Sequence, residues 1–141
     1  MSPEQLFSIA NTIAAVSWVL LAVLPRRRWV TGAITGTVVP ALFAVLYIGL
    51  IVSTFGRAEG GFSTLAGVAA LFTNSWMLLA GWVHYLAFDL LIGTWEVRDA
   101  QARGIPHLYV VPCLILTFLF GPAGWLLYVA LRGVCSVAEA S

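Results

Sequence analysis

Four long apolar stretches alternate with short polar ones along this chain. The first runs from about Leu6 to Leu24 and stops at Pro25 and three consecutive arginines, Arg26, Arg27 and Arg28. A helix of that length, rising about 1.5 Å per residue, covers the roughly 30 Å hydrocarbon core of a bilayer. The second stretch, about Ala33 to Phe55, carries Pro40 near its start, which a membrane helix accommodates by kinking. Arg57, Glu59 and Gly60-Gly61 then form a loop. Between residues 62 and 73, Phe62, Leu65, Ala69 and Phe72 share one helical face over a length too short to span. That pattern predicts a short helix lying at the interface. Asn74 or Ser75 is placed to cap a third span, about Trp76 to Trp95. A polar connector, Glu96 to Gly104, follows. Ile105-Pro106 opens a fourth span, about Pro106 to Leu131, with Pro112 and the Gly121-Pro122 pair inside it. Both interruptions are places where a kink frees backbone carbonyls. The tail after Arg132 is short, and no internal repeat is visible. The expected architecture is a single all-α transmembrane domain over residues 1–141, a bundle of four transmembrane helices with a short interfacial helix between the second and third.

Composition agrees. The chain is 61% hydrophobic and 9% charged, with mean hydropathy +0.97, whereas soluble domains carry roughly 25% charged residues. A net charge of +1 leaves no footprint for nucleic acid. All seven basic residues are arginines. With four spans, the loops after the first and third share one side and hold Arg26, Arg27, Arg28, Arg98 and Arg103, against Arg57 and Arg132 on the other. The positive-inside rule then places those loops in the cytoplasm and both termini outside it. The first apolar run follows Met1-Ser-Pro-Glu-Gln without a basic leader and is too long for a signal peptide core, so it reads as a retained helix. Cys113 and Cys135 support no disulfide framework, and an isolated cysteine in a membrane helix is ordinarily a small packing residue. No metal-ligand spacing, phosphate loop or nucleophile motif occurs.

The acids raise the chemical question. Five of the six lie in expected loops or termini; Asp89 alone lies well within a span. A carboxyl in hydrocarbon costs several kcal/mol, about 2.5 to 3.5 on the mildest scales, unless it is partnered or functional. Trp82, Tyr85, Asp89 and Glu96 fall near one helical stripe, and Tyr85 is one turn from Asp89. Two readings stay open for Asp89. It faces a pocket, where a neutral carboxyl donates a proton or strong hydrogen bond to an apolar substrate's oxygen, or it clasps a neighbouring helix. His84 lies about 140° around the helix from Asp89, and acts as acid or base, as a metal ligand, or as a hydrogen-bonded packing residue. Glu96, Asp99 and His107 cluster near the cytoplasmic interface with Arg98 and Arg103, where paired or solvated charges are the ordinary explanation, Asp99 and Arg103 standing at i and i+4. Trp29, Trp76 and Trp95 sit near span ends, as an aromatic belt requires. Trp18, Trp82 and Trp125 lie deeper, where they either pack or line a groove for a long apolar ligand.

The string from Gly81 to Leu90, GWVHYLAFDL, followed by Gly93, Trp95, Asp99-Ala100, Gly104-Ile105-Pro106-His107, Pro112-Cys113-Leu114 and the run Leu116 to Tyr128, strongly resembles the ABA-deficient-4-like family. The likeness is dense over residues 62 to 132 and thinner in the first span, where Asn11, Trp18 and Leu24-Pro25 still match. Plant members of that family are linked to making neoxanthin from violaxanthin, an isomerisation that opens an epoxide and creates an allene with no redox cofactor. The resemblance therefore implies a lipid-embedded site for a carotenoid or other isoprenoid. Epoxide opening needs a proton at the epoxide oxygen and loss of one from the adjacent polyene carbon. Asp89 is the first candidate for the acid, His84 for the base or for orienting substrate, and His107 is the third. Trp82, Tyr85, Trp18, Asn11 and Trp125 are the candidate substrate contacts, with no metal and no cofactor. A chloroplast member should carry a long transit peptide, which this sequence does not show; it looks bacterial or trimmed, and the expected location is a bacterial inner membrane, where the substrate need not be violaxanthin. Two other functions compete: a non-catalytic binder that presents a pigment, and an assembly factor whose polar residues only clasp helices. Four spans bury a large cavity with difficulty, so the expected site is a lipid-facing groove or a homodimer interface. Gly32, Gly36 and Gly81 permit close approach of helices.

Overall fold

The computed structural model describes residues 1–54 and 56–139. Phe55, the expected last residue of the second span, lies outside them. The fold is helical throughout, with no strand among the described residues. It begins with α1, Pro3–Val23, and α2, Trp29–Thr54. The short α3, Leu65–Leu71, leads into α4, Ser75–Ala102. The last described elements are α5, His107–Phe120, and α6, Pro122–Glu139.

Local chemistry sets the helix starts. Ser2 and Gln5 form a reciprocal capping box at α1: the Gln5 N–H donates to Ser2 Oγ (3.3 Å) and the Ser2 N–H donates to Gln5 Oε1 (2.9 Å), with Pro3 at the first helical position. Asn74 Oδ1 accepts from the N–H groups of Trp76 and Met77 and starts α4. Thr64 Oγ1 accepts from the Gly67 N–H and starts α3, inside the stretch where a short helix is expected. The first ten residues of α2, Trp29–Val38, are wound as a π-helix, an uncommon form. Thr35 and Thr37 follow this winding by donating to carbonyls five residues back, on Val30 and Gly32. The wide winding ends just before Pro40, which lacks the N–H that an α-helix needs there. The second span thus opens at Trp29, four residues earlier than expected.

Three helices, α1, α2 and α4, are long and apolar enough to cross a membrane. The α4 helix lies at the centre and packs on α1, α2 and α5. Its Gly93 lets the Trp18 ring and Leu21 lie directly on the backbone, and Thr94 Oγ1 donates to Thr35 Oγ1 (2.8 Å) in the buried seam with α2. The helix runs seven residues past the expected end at Trp95. Glu96 to Ala102 are ordinary helix formers, and the stop is Gly104, at φ +70°, before Ile105-Pro106. Apolarity marks where hydrocarbon ends, not where a helix ends.

The fourth expected span, 106–131, is not one helix. The backbone breaks at Gly121 (φ +46°, ψ −96°). At about 1.5 Å per residue, the 14 residues of α5 reach about 21 Å, short of the roughly 30 Å core. The contacts show the return path. Gly121 lies against Asp89, whereas Tyr128 and Arg132 bond Asp99, ten residues further along α4. So α6 runs back beside α5, and the two form a re-entrant hairpin. Its tip is level with Asp89, midway along α4's 28 residues. Gly124 permits the tight turn: a Cβ there would collide with the Thr117 backbone and hydroxyl.

The hairpin corrects the expected topology of the ends. Ser2 sits at one end of the bundle, and Arg132 sits at the other, beside Asp99 and Arg103. The α6 helix therefore heads for the same face as the arginine-rich turns, not for the face that holds the N-terminus.

Candidate functional site

The stripe of α4 that holds Trp82, Tyr85 and Asp89 faces α1 above the hairpin tip. A groove of about 440 Å³ opens there between the starts of α1 and α4, lined by Pro3, Glu4, Phe7, Ser75, Leu78, Leu79 and Trp82. The hairpin stops at mid-depth, so it leaves this face of the two helices uncovered.

An aromatic stack leads from the groove toward Asp89. Phe7 meets the Trp82 ring at 5.5 Å between centroids, and Trp82 meets Tyr85 at 5.4 Å. The Trp82 indole N–H donates to Asn11 Oδ1 (2.7 Å), which fixes the ring across the α1–α4 seam. Tyr85 is held by the hairpin itself. Pro122 has no N–H, so the Phe118 carbonyl, four residues before it, loses its helical partner, and the Tyr85 hydroxyl donates to that carbonyl instead (3.1 Å). Trp18 is buried beneath, its ring 5.5 Å from that of Phe118.

Asp89 closes the stack. Its carboxyl lies against the Gly121 Cα, where a Cβ would come within 3.0 Å of Oδ1. Its Oδ2 is buried and has no hydrogen-bond partner among the described residues. A helix clasp would pair both oxygens. This carboxyl stands against a glycine, one turn from the Tyr85 hydroxyl that interacts with it, and its Oδ2 has no partner among the described residues.

The structure separates the three candidate catalytic residues. His84 is exposed on the opposite flank of α4, between the rings of Tyr47 on α2 (5.5 Å) and Phe88 (4.7 Å), where it borders a second groove of about 220 Å³. His107 Nε2 lies 2.8 Å from the Ala22 carbonyl, at the opposite end of α5 from Asp89. With Gln101 Nε2, which donates to the Pro25 carbonyl, it ties down the end of α1. Trp82, Tyr85, Trp18 and Asn11 do assemble around one seam. Trp125 does not: it is half-exposed on α6, one turn beyond the hairpin tip.

Glu96 is expected among interfacial charges that are solvated or paired, and its burial without an ion pair to a described residue corrects that reading. It is 0% exposed, packed between α4 and the hairpin. Thr117 Oγ1 donates to its Oε1 (2.9 Å), and Oε2 is buried without a partner among the described residues. The clue was in the sequence, because Glu96 stands two turns from Asp89 on the same stripe. Thr117, its partner on α5, carried no signal of its own. Asp99 is paired as its spacing suggested, accepting from Arg103 Nε (2.9 Å), and also from Tyr128 Oη (2.6 Å) and Arg132 Nη1 (3.4 Å). The Arg132 guanidinium lies over the Trp95 ring. No group of three or more His, Cys, Asp or Glu side chains that could hold a metal ion occurs among the described residues.

The family model described as ABA DEFICIENT 4-like matches residues 5–128, which takes in every element from α1 to the middle of α6. The chain belongs to the ABA-deficient-4-like family. No curated protein and no solved structure matches it. Membership in the ABA-deficient-4-like family relates this membrane protein to the carotenoid and abscisic-acid pathway. The matched region contains the whole Trp82–Tyr85–Asp89 stripe and the hairpin tip that meets it.

Proposed function

We propose that the protein holds a long isoprenoid of the xanthophyll kind in the groove between α1 and α4 and isomerises it by acid chemistry at Asp89. The observation that carries this reading is the Asp89 carboxyl, standing at mid-depth at the foot of an aromatic stack with a buried oxygen left unpaired. A lipid-facing groove admits an apolar chain directly from the bilayer, and polar groups at one end fix its register. For an epoxide substrate, Asp89 donates its proton to the epoxide oxygen and the C–O bond breaks. A proton then leaves the adjacent polyene carbon to form the allene. The Asp89 carboxylate left by the first step is the base at hand on this flank of α4. No atoms are gained or lost, and no redox partner is needed.

The binding half of the reading is tested by the pigment that co-purifies with the protein from a carotenoid-producing host. The expected result is a bound xanthophyll or related isoprenoid. Trp82→Ala removes a groove wall and its bond to Asn11, worth about 1–3 kcal/mol, so retention should fall at least roughly fivefold. Wild-type retention by Trp82→Ala would place the ligand elsewhere. Retention without any turnover would make the protein a carrier.

The same reading assigns a direction in the membrane. Six of the seven arginines lie at the face where α1, α4 and α6 end, and Arg57 lies at the other. The arginine-rich face is therefore proposed as cytoplasmic, with Ser2 on the far side. With Cys113 and Cys135 replaced by alanine, a cysteine at position 2 should be labelled from outside intact cells and one at position 133 should not. Labelling at 133 would reverse the assignment or break the hairpin.

A further inference from the structure

Three of the six acids descend α4 under cover of the hairpin: Asp89 against Gly121, Glu96 against Thr117, and Asp99 against Tyr128 and Arg132. Asp89 and Glu96 lie inside the bundle, and Asp99 stands at the arginine-rich face with its side chain 17% exposed. The upper two each keep one buried oxygen without a partner among the described residues. Neither makes an ion pair with a described residue. Two unpaired carboxyl oxygens two helical turns apart, in one seam, are not explained by packing. Burying a polar group without a partner is costly, and leucine would fill the Glu96 position without that cost. Side chains on a helix lean toward its N-terminus, so the longer Glu96 reaches toward Asp89. Asp99 stands one turn further along α4, and Cys113 on α5 is also close enough to interact with Glu96.

We propose that Glu96 is the proton-exchange partner of Asp89, joining it through the interior of the hairpin to water at the arginine-rich face beside Asp99. This rests on the reading of Asp89 as the acid. Within a turnover the proton taken from the polyene carbon restores the Asp89 acid; its first loading and its exchange with solvent need another route, because an apolar substrate seals the groove side. The protein side supplies the route. Glu96 passes a proton to the Asp89 carboxylate and takes one in turn from water entering beside Asp99, so each hop forms one O–H bond and breaks one. The upper gap, about 10 Å along the axis, is wider than one hydrogen bond, and water joining the two orphan oxygens is the link the chemistry allows. Glu96 touches no groove surface, so it is a positioning and proton-supplying residue rather than a catalytic one.

The test reads the proton directly. Purified protein in lipid vesicles is moved from H₂O to D₂O, and infrared spectroscopy follows the carbonyl stretch of the buried carboxyl acids, which shifts when the acid proton becomes a deuteron. Asp89→Asn identifies the Asp89 band by its loss. Glu96→Gln keeps the oxygen that accepts from Thr117 but carries no exchangeable acid proton. In that variant the Asp89 band should remain and its exchange should slow by about tenfold or more. Thr117→Val, which frees Glu96 without removing it, should change the rate less. Exchange at the wild-type rate in a normally melting Glu96→Gln would overturn the proposal, as would the absence of any Asp89 acid band in the wild type. If Asp89→Asn stays fully active while Glu96→Gln still slows exchange, the catalytic reading falls and the proton route stands.

Discussion

Gly121→Ala is expected to lower thermal stability and turnover together, although it adds one methyl group. Gly121 sits at φ +46° and ψ −96°, where L-residues are strained by about 1–3 kcal/mol. The new Cβ would also come within 3.0 and 3.3 Å of the two Asp89 oxygens. Either the hairpin tip moves or the carboxyl does. Movement of the tip would loosen the Tyr85 bond to the Phe118 carbonyl, which exists because Pro122 follows the break. The control is Gly133→Ala in α6, where an added Cβ meets nothing within 4 Å, and where replacing a helical glycine should be neutral or stabilising by about 0.5–1 kcal/mol. Melting in lipid and conversion of a xanthophyll epoxide are measured for both. A Gly121→Ala protein with wild-type melting and turnover would mean that the tip does not set the Asp89 geometry.

The hairpin also shows what the sequence concealed. Apolar runs marked α1, α2 and the start of α4 within four residues, because a span has to be uniformly apolar and the arginines punctuate it; the end of α4 lies seven residues beyond its run. The run from 106 to 131 is equally apolar, yet it folds back. Hydropathy counts residues and is blind to a reversal inside the membrane. The Gly121-Pro122 pair was legible as a place where carbonyls are freed. That it turns the chain through a hairpin depends on Gly124 meeting Thr117 and on Tyr128 reaching Asp99. Those are contacts between elements, and no local pattern encodes them. The same gap hid Glu96. Its position on the Asp89 stripe was readable, but its partner, Thr117, comes from α5 of the hairpin.

The site was legible in proportion to how local its cues were. Trp82, Tyr85 and Asp89 repeat at helical spacing, so their shared face followed from the sequence. Asn11 and Trp18 join them through the α1–α4 seam. His84 shares the family-like string with Asp89 but faces α2, as its angular offset around the helix allowed. His107 lies in a similar string, yet it serves the end of α1 rather than the groove.

Asp89→Asn tests the central claim most directly. The amide keeps the size of the side chain and can stand against Gly121 as the carboxyl does, but it has no acid proton to give. Violaxanthin conversion in liposomes should fall by roughly 10² to 10⁴, the usual contribution of general acid catalysis, while melting temperature and pigment retention stay near wild type. Loss of stability in step with activity would instead mark Asp89 as a helix clasp. A normally folded Asp89→Asn protein that converts the epoxide at the wild-type rate would contradict the account.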